Sequence, residues 1–140
     1  YGPYLDRIPT REGRTKHASD NRVEVQRANH ALSLAASGHK VAVVSGGDPG
    51  VFAMAAAVFE ALDAGDPAWR AVPIMVEPGI TAMLAAAAKA GAPLGGDFCA
   101  ISLSDNLKPW EVVTARLQAV LAADLVICLY NPISKARPWQ

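Results

Sequence analysis

Val41-Ala42-Val43-Val44-Ser45-Gly46-Gly47-Asp48-Pro49-Gly50-Val51-Phe52 is the stretch on which the reading of this chain turns. Its first residues are apolar and rich in β-branched valine, the composition of a strand buried on both faces of a parallel sheet. Glycines then turn the chain, and the alanine-rich segment Ala53 to Leu62 has the composition of a helix. Open α/β sheets bind small molecules at the carboxyl ends of their strands, in turns of this kind. Glycine lets a ligand approach the backbone there, because no Cβ stands in the way. Strand, ligand-binding turn and helix are therefore expected in that order.

The turn also limits what the ligand can be. A dinucleotide fingerprint, Gly-x-Gly-x-x-Gly, is not matched: Gly47 and Gly50 fit its last two glycines, but Ser45 stands in the place of the first. Asp48 would set a negative charge against a pyrophosphate at short range, whereas a ligand with a positive centre avoids that repulsion. Asp48 has a second reading as the N-cap of the following helix, with Pro49 in its first position. The two readings are compatible, since the backbone of a capped turn still binds a ligand.

Outward from this turn, strand and helix patterns alternate. On the N-terminal side, Val25, Ala28, Leu32, Ala35 and Ala36 recur at three and four residues, which predicts an amphipathic helix over 21–37 closed by Gly38. Ser19-Asp20-Asn21 precedes it as a capping segment, with Glu24 completing a capping box. On the C-terminal side, helix 50–64 leads to a second short strand, Pro73 to Glu77, then to Pro78-Gly79 and a helix from Ile80 to Ala90. Phe98 to Leu103 reads as a strand, Pro109 to Ala122 as a helix and Asp124 to Tyr130 as a further strand. Repetition of strand, turn and helix predicts an α/β fold with a parallel sheet. Gly91 to Asp97 is rich in breakers and is the expected domain boundary, dividing the chain into 1–94 and 95–140. A C-terminal part of that size is too small to bury a good core alone, so the chain is expected to continue beyond both of its ends.

Composition excludes several function classes. Of the 140 residues 51% are hydrophobic, which argues for a buried core and against disorder. Thirteen basic and thirteen acidic residues give no net charge, so no global positive field attracts nucleic acid. No run of about eighteen apolar residues predicts a membrane span. Cys99 and Cys128 lack a Cys-x-x-Cys spacing and sit in apolar runs, as small core hydrophobes in a reducing, cytoplasmic setting. His17, His30 and His39 share no metal-ligand spacing, and no metal site is expected.

Three further segments could carry chemistry. Pro78-Gly79-Ile80-Thr81-Ala82 is a second glycine turn after a strand, and Tyr130-Asn131-Pro132 ends another strand. With Gly46-Gly47-Asp48-Pro49 they outline walls of one crevice. Ser104-Asp105-Asn106 matches the Ser-Asp-Asn element of serine β-lactamases, but its companion Ser-x-x-Lys is missing, and that reading is rejected. Asp105 to Trp110 still places an acid, an amide, Lys108 and an indole in one loop after a strand, or forms a polar turn in which Pro109 opens a helix. The first 22 residues form a basic lead-in, in which Arg7, Arg11, Arg14, Lys16 and Arg22 outnumber Asp6, Glu12 and Asp20.

These segments together support a resemblance. Gly46-Gly47-Asp48-Pro49, Pro78-Gly79-Ile80-Thr81-Ala82 and Gly91-Ala92-Pro93-Leu94 resemble the tetrapyrrole methylase family in order and spacing, over nearly the whole chain. Within the family, Tyr1-Gly2-Pro3-Tyr4, Ser104 to Trp110 and Tyr130-Asn131-Pro132 resemble the corrin-pathway members that methylate C17 with contraction of the macrocycle, which implies that reaction. The resemblance implies a tetrapyrrole methylase-like α/β enzyme of cobalamin biosynthesis, with an incomplete N-terminal domain and the start of a second. It also implies S-adenosylmethionine as methyl donor, bound between the domains. Gly46, Gly47, Asp48, Val51, Thr81, Ala82, Leu129 and Tyr130 are the positions implied to meet the donor. The family's opening strand with its Gly-x-Gly-Pro-Gly loop precedes Tyr1 and is not in this chain. A homodimer, a polycarboxylate tetrapyrrole substrate, and no nucleic-acid or membrane partner are implied as well.

Methyl transfer is an in-line displacement to which placement of the reactants contributes most. Ring contraction adds proton transfers, for which Asp105 and Lys108 are the candidates. The lead-in cations Arg7, Arg11, Arg14 and Lys16 pair the substrate's acids or form a solvated loop. Two other functions remain open on the residues alone. A nicotinamide-dependent oxidoreductase needs the missing glycine and an acid about twenty residues on, and Glu77 lies too far along. A non-catalytic corrinoid-binding module would keep the sheet and bind no donor.

Overall fold

Apolar residues spaced by three and four residues build the helices of the first half of the chain. The computed structural model describes residues 2–20, 23–104, 108–133 and 138–139. Helix α1 spans Gly2–Leu5 and α2 spans Glu24–Ala36, with Ala28 and Leu32 buried one turn apart. A backbone cap ends α2: Gly38 N donates to Ala35 O, His39 N donates to Leu34 O, and Gly38 has φ +89°. This paired, glycine-containing arrangement satisfies the last carbonyls of the helix, as expected of Gly38.

The start of α2 differs from the expected capping box. Val23 occupies the N-cap without a side-chain bond. Ser19 Oγ instead accepts from Arg27 Nε at 2.6 Å, and Arg27 Nη2 donates to the carbonyl of Asp20. One guanidinium inside the helix therefore holds the incoming chain through the Ser19 hydroxyl and the Asp20 carbonyl.

Helix α3 spans Met54–Ala64 and buries Met54, Val58 and Ala61. It begins later than the expected residue 50 because Phe52 has φ +49°, outside the helical region. A 3-10 helix follows over Pro67–Ala71, where the Asp66 carboxylate accepts from Ala68 N at 2.9 Å. Ala28, Leu32, Val58 and Ala61 form the core, flanked by Val43, Leu62, Trp69 and Ile74.

The segments 41–45 and 73–77 are not strands, contrary to expectation. Val43 and Ile74 each reach the same core, yet no ladder forms at either segment. Among the described residues, no backbone hydrogen bond joins one segment to the other. Met75 and Val76 remain exposed. Valine and isoleucine fit a pleated surface, but a strand also needs a hydrogen-bonded neighbour, which local composition does not supply.

Helix α4 spans Ala82–Ala90, strand β1 Phe98–Ser102, helix α5 Trp110–Ala122 and strand β2 Val126–Tyr130. Strands β1 and β2 pair in parallel, from Phe98 opposite Val126 to Ser102 opposite Tyr130. Parallel neighbours need a crossover, and α5 supplies it. Val113 of α5 is fully buried with Ile101 and Leu103, and Trp110, Leu117, Val120 and Ile127 pack around them. The α/β class thus stands on one β-α-β unit with helices on either side of it in sequence. Cys99 and Cys128 sit in the two strands as half-buried free thiols.

The chain forms two compact units, residues 1–81 and 82–140. The division falls ahead of α4, which therefore groups with the β-α-β unit. Among the described residues no helix is long and apolar enough to cross a membrane.

Candidate functional site

In the first unit, two glycine turns meet backbone to backbone. Gly79 is the point of contact: a Cβ built on it would lie 2.2 Å from the carbonyl oxygen of Gly47. Only a residue without a side chain allows that approach. Gly47 has φ +69°, a left-handed conformation that glycine adopts without steric cost. Its own Cβ position has more room, with Ile80 O at 3.5 Å and the Thr81 Cα at 3.8 Å.

Asp48 joins the turns. Its Oδ1 accepts from Gly50 N at 2.7 Å and its Oδ2 accepts from Gly79 N at 3.1 Å. The cap reading is corrected here: α3 starts at Met54 with Ala53 as N-cap, and Pro49 contributes its carbonyl to Ala55 N at 2.9 Å. The carboxylate closes its own turn and holds the second one. A short acidic side chain at 48 was legible in the sequence, but the partner 31 residues away was not. Asp48→Asn retains one acceptor and turns an amide N–H₂ toward a backbone N–H. Loss of a charge-assisted bond with an unmatched donor is expected to cost about 1–3 kcal/mol, read as a lowered urea midpoint at unchanged slope.

The remaining expected residues of this unit are placed as follows. Gly46 faces Tyr4, whose ring carbon Cζ and hydroxyl lie 2.8 Å from the position of a Cβ. The bare side of Gly46 is therefore filled by this protein's own aromatic ring. Tyr4 belongs to the Tyr1-Gly2-Pro3-Tyr4 stretch of the resemblance, but its approach to Gly46 was not readable there. Val51 is half-buried at the end of the turn and donates its N–H to Asp48 O at 3.2 Å. Thr81 is buried.

The second unit brings together Ala82, Leu129 and Tyr130. They line an open groove of about 410 Å³ between α4 and β2, with Met83, Ala86 and Cys128 among its walls. Tyr130 ties the two sides: its hydroxyl accepts from the backbone N–H of Met83 at 3.0 Å, in the first turn of α4. That N–H is one of the four a helix leaves unpaired at its start. The Tyr130 carbonyl in turn accepts from Leu103 N at 2.8 Å.

Asp105 lies outside the described residues, and Lys108 is half-buried ahead of α5. Trp110 is not a loop residue: it opens α5 and packs on the second core. In the lead-in, Arg14 Nη1 donates to Pro9 O at 3.0 Å, and Lys16 Nζ donates to Leu5 O at 3.1 Å and to the carbonyl of Ile8. Both cations thus bond carbonyls of their own loop. His17 and His30, remote in sequence, approach with ring nitrogens 3.3 Å apart. No group of three metal-ligating side chains occurs among the described residues.

Comparison with known proteins places this geometry. The sequence profile of the tetrapyrrole (corrin/porphyrin) methylases matches residues 3–139. A precorrin-3B C(17)-methyltransferase of Sinorhizobium sp. is 65% identical over 140 residues, covering all of this chain and 55% of that protein. A probable cobalt-factor III C(17)-methyltransferase of Salmonella typhimurium is 46% identical over 114 residues, covering 81% of this chain and 46% of that protein. The crystal structure of the methyltransferase CobJ superposes with a TM-score of 0.94 at 61% identity, covering 99% of this chain and 57% of that one. The chain thus spans about half the length of these relatives. A profile match over almost the whole chain, on a backbone shared with a solved methyltransferase, settles the family: the chain belongs to the tetrapyrrole (corrin/porphyrin) methylases.

Proposed function

We infer that the protein carrying this chain is an S-adenosylmethionine-dependent methyltransferase of cobalamin biosynthesis. Its reaction is methylation of C17 of precorrin-3B with contraction of the macrocycle to precorrin-4. The observation that carries the reading is identity along the entire chain to a precorrin-3B C(17)-methyltransferase. The cobalt-containing substrate is the second reading, since cobalt-factor III enzymes also match, at lower identity.

The residues present fit a methyl donor. When bound, S-adenosylmethionine supplies an electrophilic methyl group. Gly47, Asp48 and Thr81 offer a turn pair stiffened by the Asp48 bonds, with carboxylate charge at its centre. Ala82, Leu129 and Tyr130 offer a largely apolar wall suited to a flat heterocycle. Gly46 acts through its backbone, because Tyr4 covers its other side. Val51 contributes by closing the Asp48 turn. The chief work of these groups is placement, which for a displacement reaction supplies much of the barrier reduction.

Other parts of the reading belong to the protein as a whole. Residues 1–94 and 95–140 are parts of two domains, and a homodimer in the cytoplasm is the expected assembly. Asp105 and Lys108 are the proton-transfer candidates. Arg7, Arg11, Arg14 and Lys16 are the candidates to meet substrate carboxylates, the last two while also bonding their own loop. A balanced charge supports a small-molecule partner over nucleic acid or a membrane surface.

Calorimetry on the full-length protein tests the donor directly. Saturable binding of S-adenosylhomocysteine with no response to NAD is the expected result. Binding of NAD with none of S-adenosylhomocysteine overturns the reading in favour of an oxidoreductase. A corrinoid bound with neither cofactor identifies a non-catalytic binding module.

A further inference from the structure

Where β1 and β2 end, side by side, an asparagine stands in a conformation most residues avoid. Asn131 follows the last residue of β2 with φ +53°, in the left-handed region. Asparagine tolerates that region better than other side-chain-bearing residues, and such outliers persist where surrounding bonds over-determine them. The bond here is visible. Asn131 Nδ2 donates to Ser102 Oγ at 3.0 Å, across from β2 to the end of β1. Ser102 is itself buried, and its Oγ also accepts from Ser104 N at 3.3 Å.

Ser102 is the register partner of Tyr130, the residue immediately before Asn131. Tyr130 is held at three places: its carbonyl by Leu103 N, its chain continuation by the Asn131 amide, and its hydroxyl by Met83 N. The first two fix the backbone from which the ring projects. The third is what the ring then does, closing the start of α4 against β2 at the rim of the apolar groove. A shift of the β2 end would carry the phenol away from Met83, because the ring projects from that backbone.

We propose that Asn131 is a positioning residue for the donor-binding groove, acting through Tyr130: its left-handed backbone and its bond to Ser102 set the phenol that latches α4. The assignment rests on the methyl-donor reading above. It makes Ser102 the other half of the device, although neither side chain lines the groove.

Chemistry distinguishes the side chain from its backbone. Asn131→Gly keeps the left-handed conformation and removes only the amide. Asn131→Asp also tolerates the conformation, and its carboxylate can accept the Ser102 hydroxyl proton, for which the described residues provide no acceptor. The link then persists with its polarity reversed.

The test uses the full-length protein and S-adenosylhomocysteine as probe. Asn131→Gly and Ser102→Ala are each expected to weaken binding about fivefold, the factor of one net hydrogen bond. The double variant is expected to be no weaker than either single one, and Asn131→Asp to stay near the unsubstituted protein. Tyr130→Phe, which keeps the ring and loses the latch, is expected to be non-additive with Asn131→Gly. Unchanged affinity in a folded Asn131→Gly, additive losses, or an aspartate as poor as glycine each overturn the proposal. Should the unsubstituted protein not bind the probe, the donor reading falls by itself. Hydrogen exchange at Met83 then decides the positioning role: faster exchange in Asn131→Gly supports it, and unchanged protection overturns it.

Discussion

Gly79→Ala lowers both the stability of the protein and its affinity for the methyl donor, whereas Gly95→Ala leaves both unchanged. The contrast is between a Cβ 2.2 Å from the Gly47 carbonyl oxygen and one with nothing within 4 Å. The obstacle at 79 is backbone, so no side-chain rotation relieves it. Residues 78–81 must withdraw from 46–48, and the Gly79 N–H to Asp48 Oδ2 bond at 3.1 Å lengthens with them. Overpacking of this kind costs about 1–3 kcal/mol. At about 2–4 °C per kcal/mol for a protein of 150–250 residues, differential scanning calorimetry resolves the fall in Tm. Equal melting of the two alanine variants would show that the turns do not meet at Gly79.

Gly47→Val has the next largest effect, for a reason the sequence alone did not contain. Blocked approach of a ligand was the argument from composition. The structure adds φ +69°, which costs an L-residue about 1–2 kcal/mol and is worst for a β-branched side chain. A Cβ alone has room there, its nearest neighbour lying 3.5 Å away, so the backbone conformation is the first obstacle. Gly47→Asn separates the two causes, because asparagine accepts the left-handed region. Valine is expected to lower both Tm and donor affinity. Asparagine is expected to keep Tm within a degree or two while donor affinity falls about tenfold, the equivalent of 1.4 kcal/mol. If asparagine binds the donor as tightly as glycine, the ligand does not approach the Gly47 backbone.

Helices were legible because their signal is local. Ala28 and Leu32 declare a buried face by spacing alone, and the alanine-rich composition from Ala53 marks the helix that buries Met54, Val58 and Ala61. Strands β1 and β2 were also legible, since both partners of that ladder lie within the chain. Segments 41–45 and 73–77 carry equally strong β composition and form no ladder, because pairing is a property of two segments and composition is a property of one. Ends of helices were the weakest point for the same reason. Phe52 displaces the start of α3, and Arg27 replaces the expected cap of α2.

The candidate site divides along similar lines. Glycine positions and the acid at 48 follow from turn chemistry, and so were readable. What each of them touches was not: Gly79 against Gly47 O, Gly46 against Tyr4, and Asp48 to a backbone N–H in a different turn. At Arg14 and Lys16 the charge was readable, but not the loop carbonyls that each of them bonds. The place of Asn131 at a strand end is readable in the sequence, yet its bond to Ser102 requires the register of the sheet.

Phe52 has one more consequence. A bulky aromatic at φ +49°, half exposed, sits between the Asp48 turn and α3, where glycine or asparagine would rest without strain. In evolutionary terms the position holds a reserve of backbone stability, which glycine would release only by giving up the partly buried ring. Proteins persist above a threshold of stability without climbing to its maximum, so such a reserve survives wherever shape matters more than strength. The bend at 52 is thus a place where later mutations elsewhere in the chain can find their compensation.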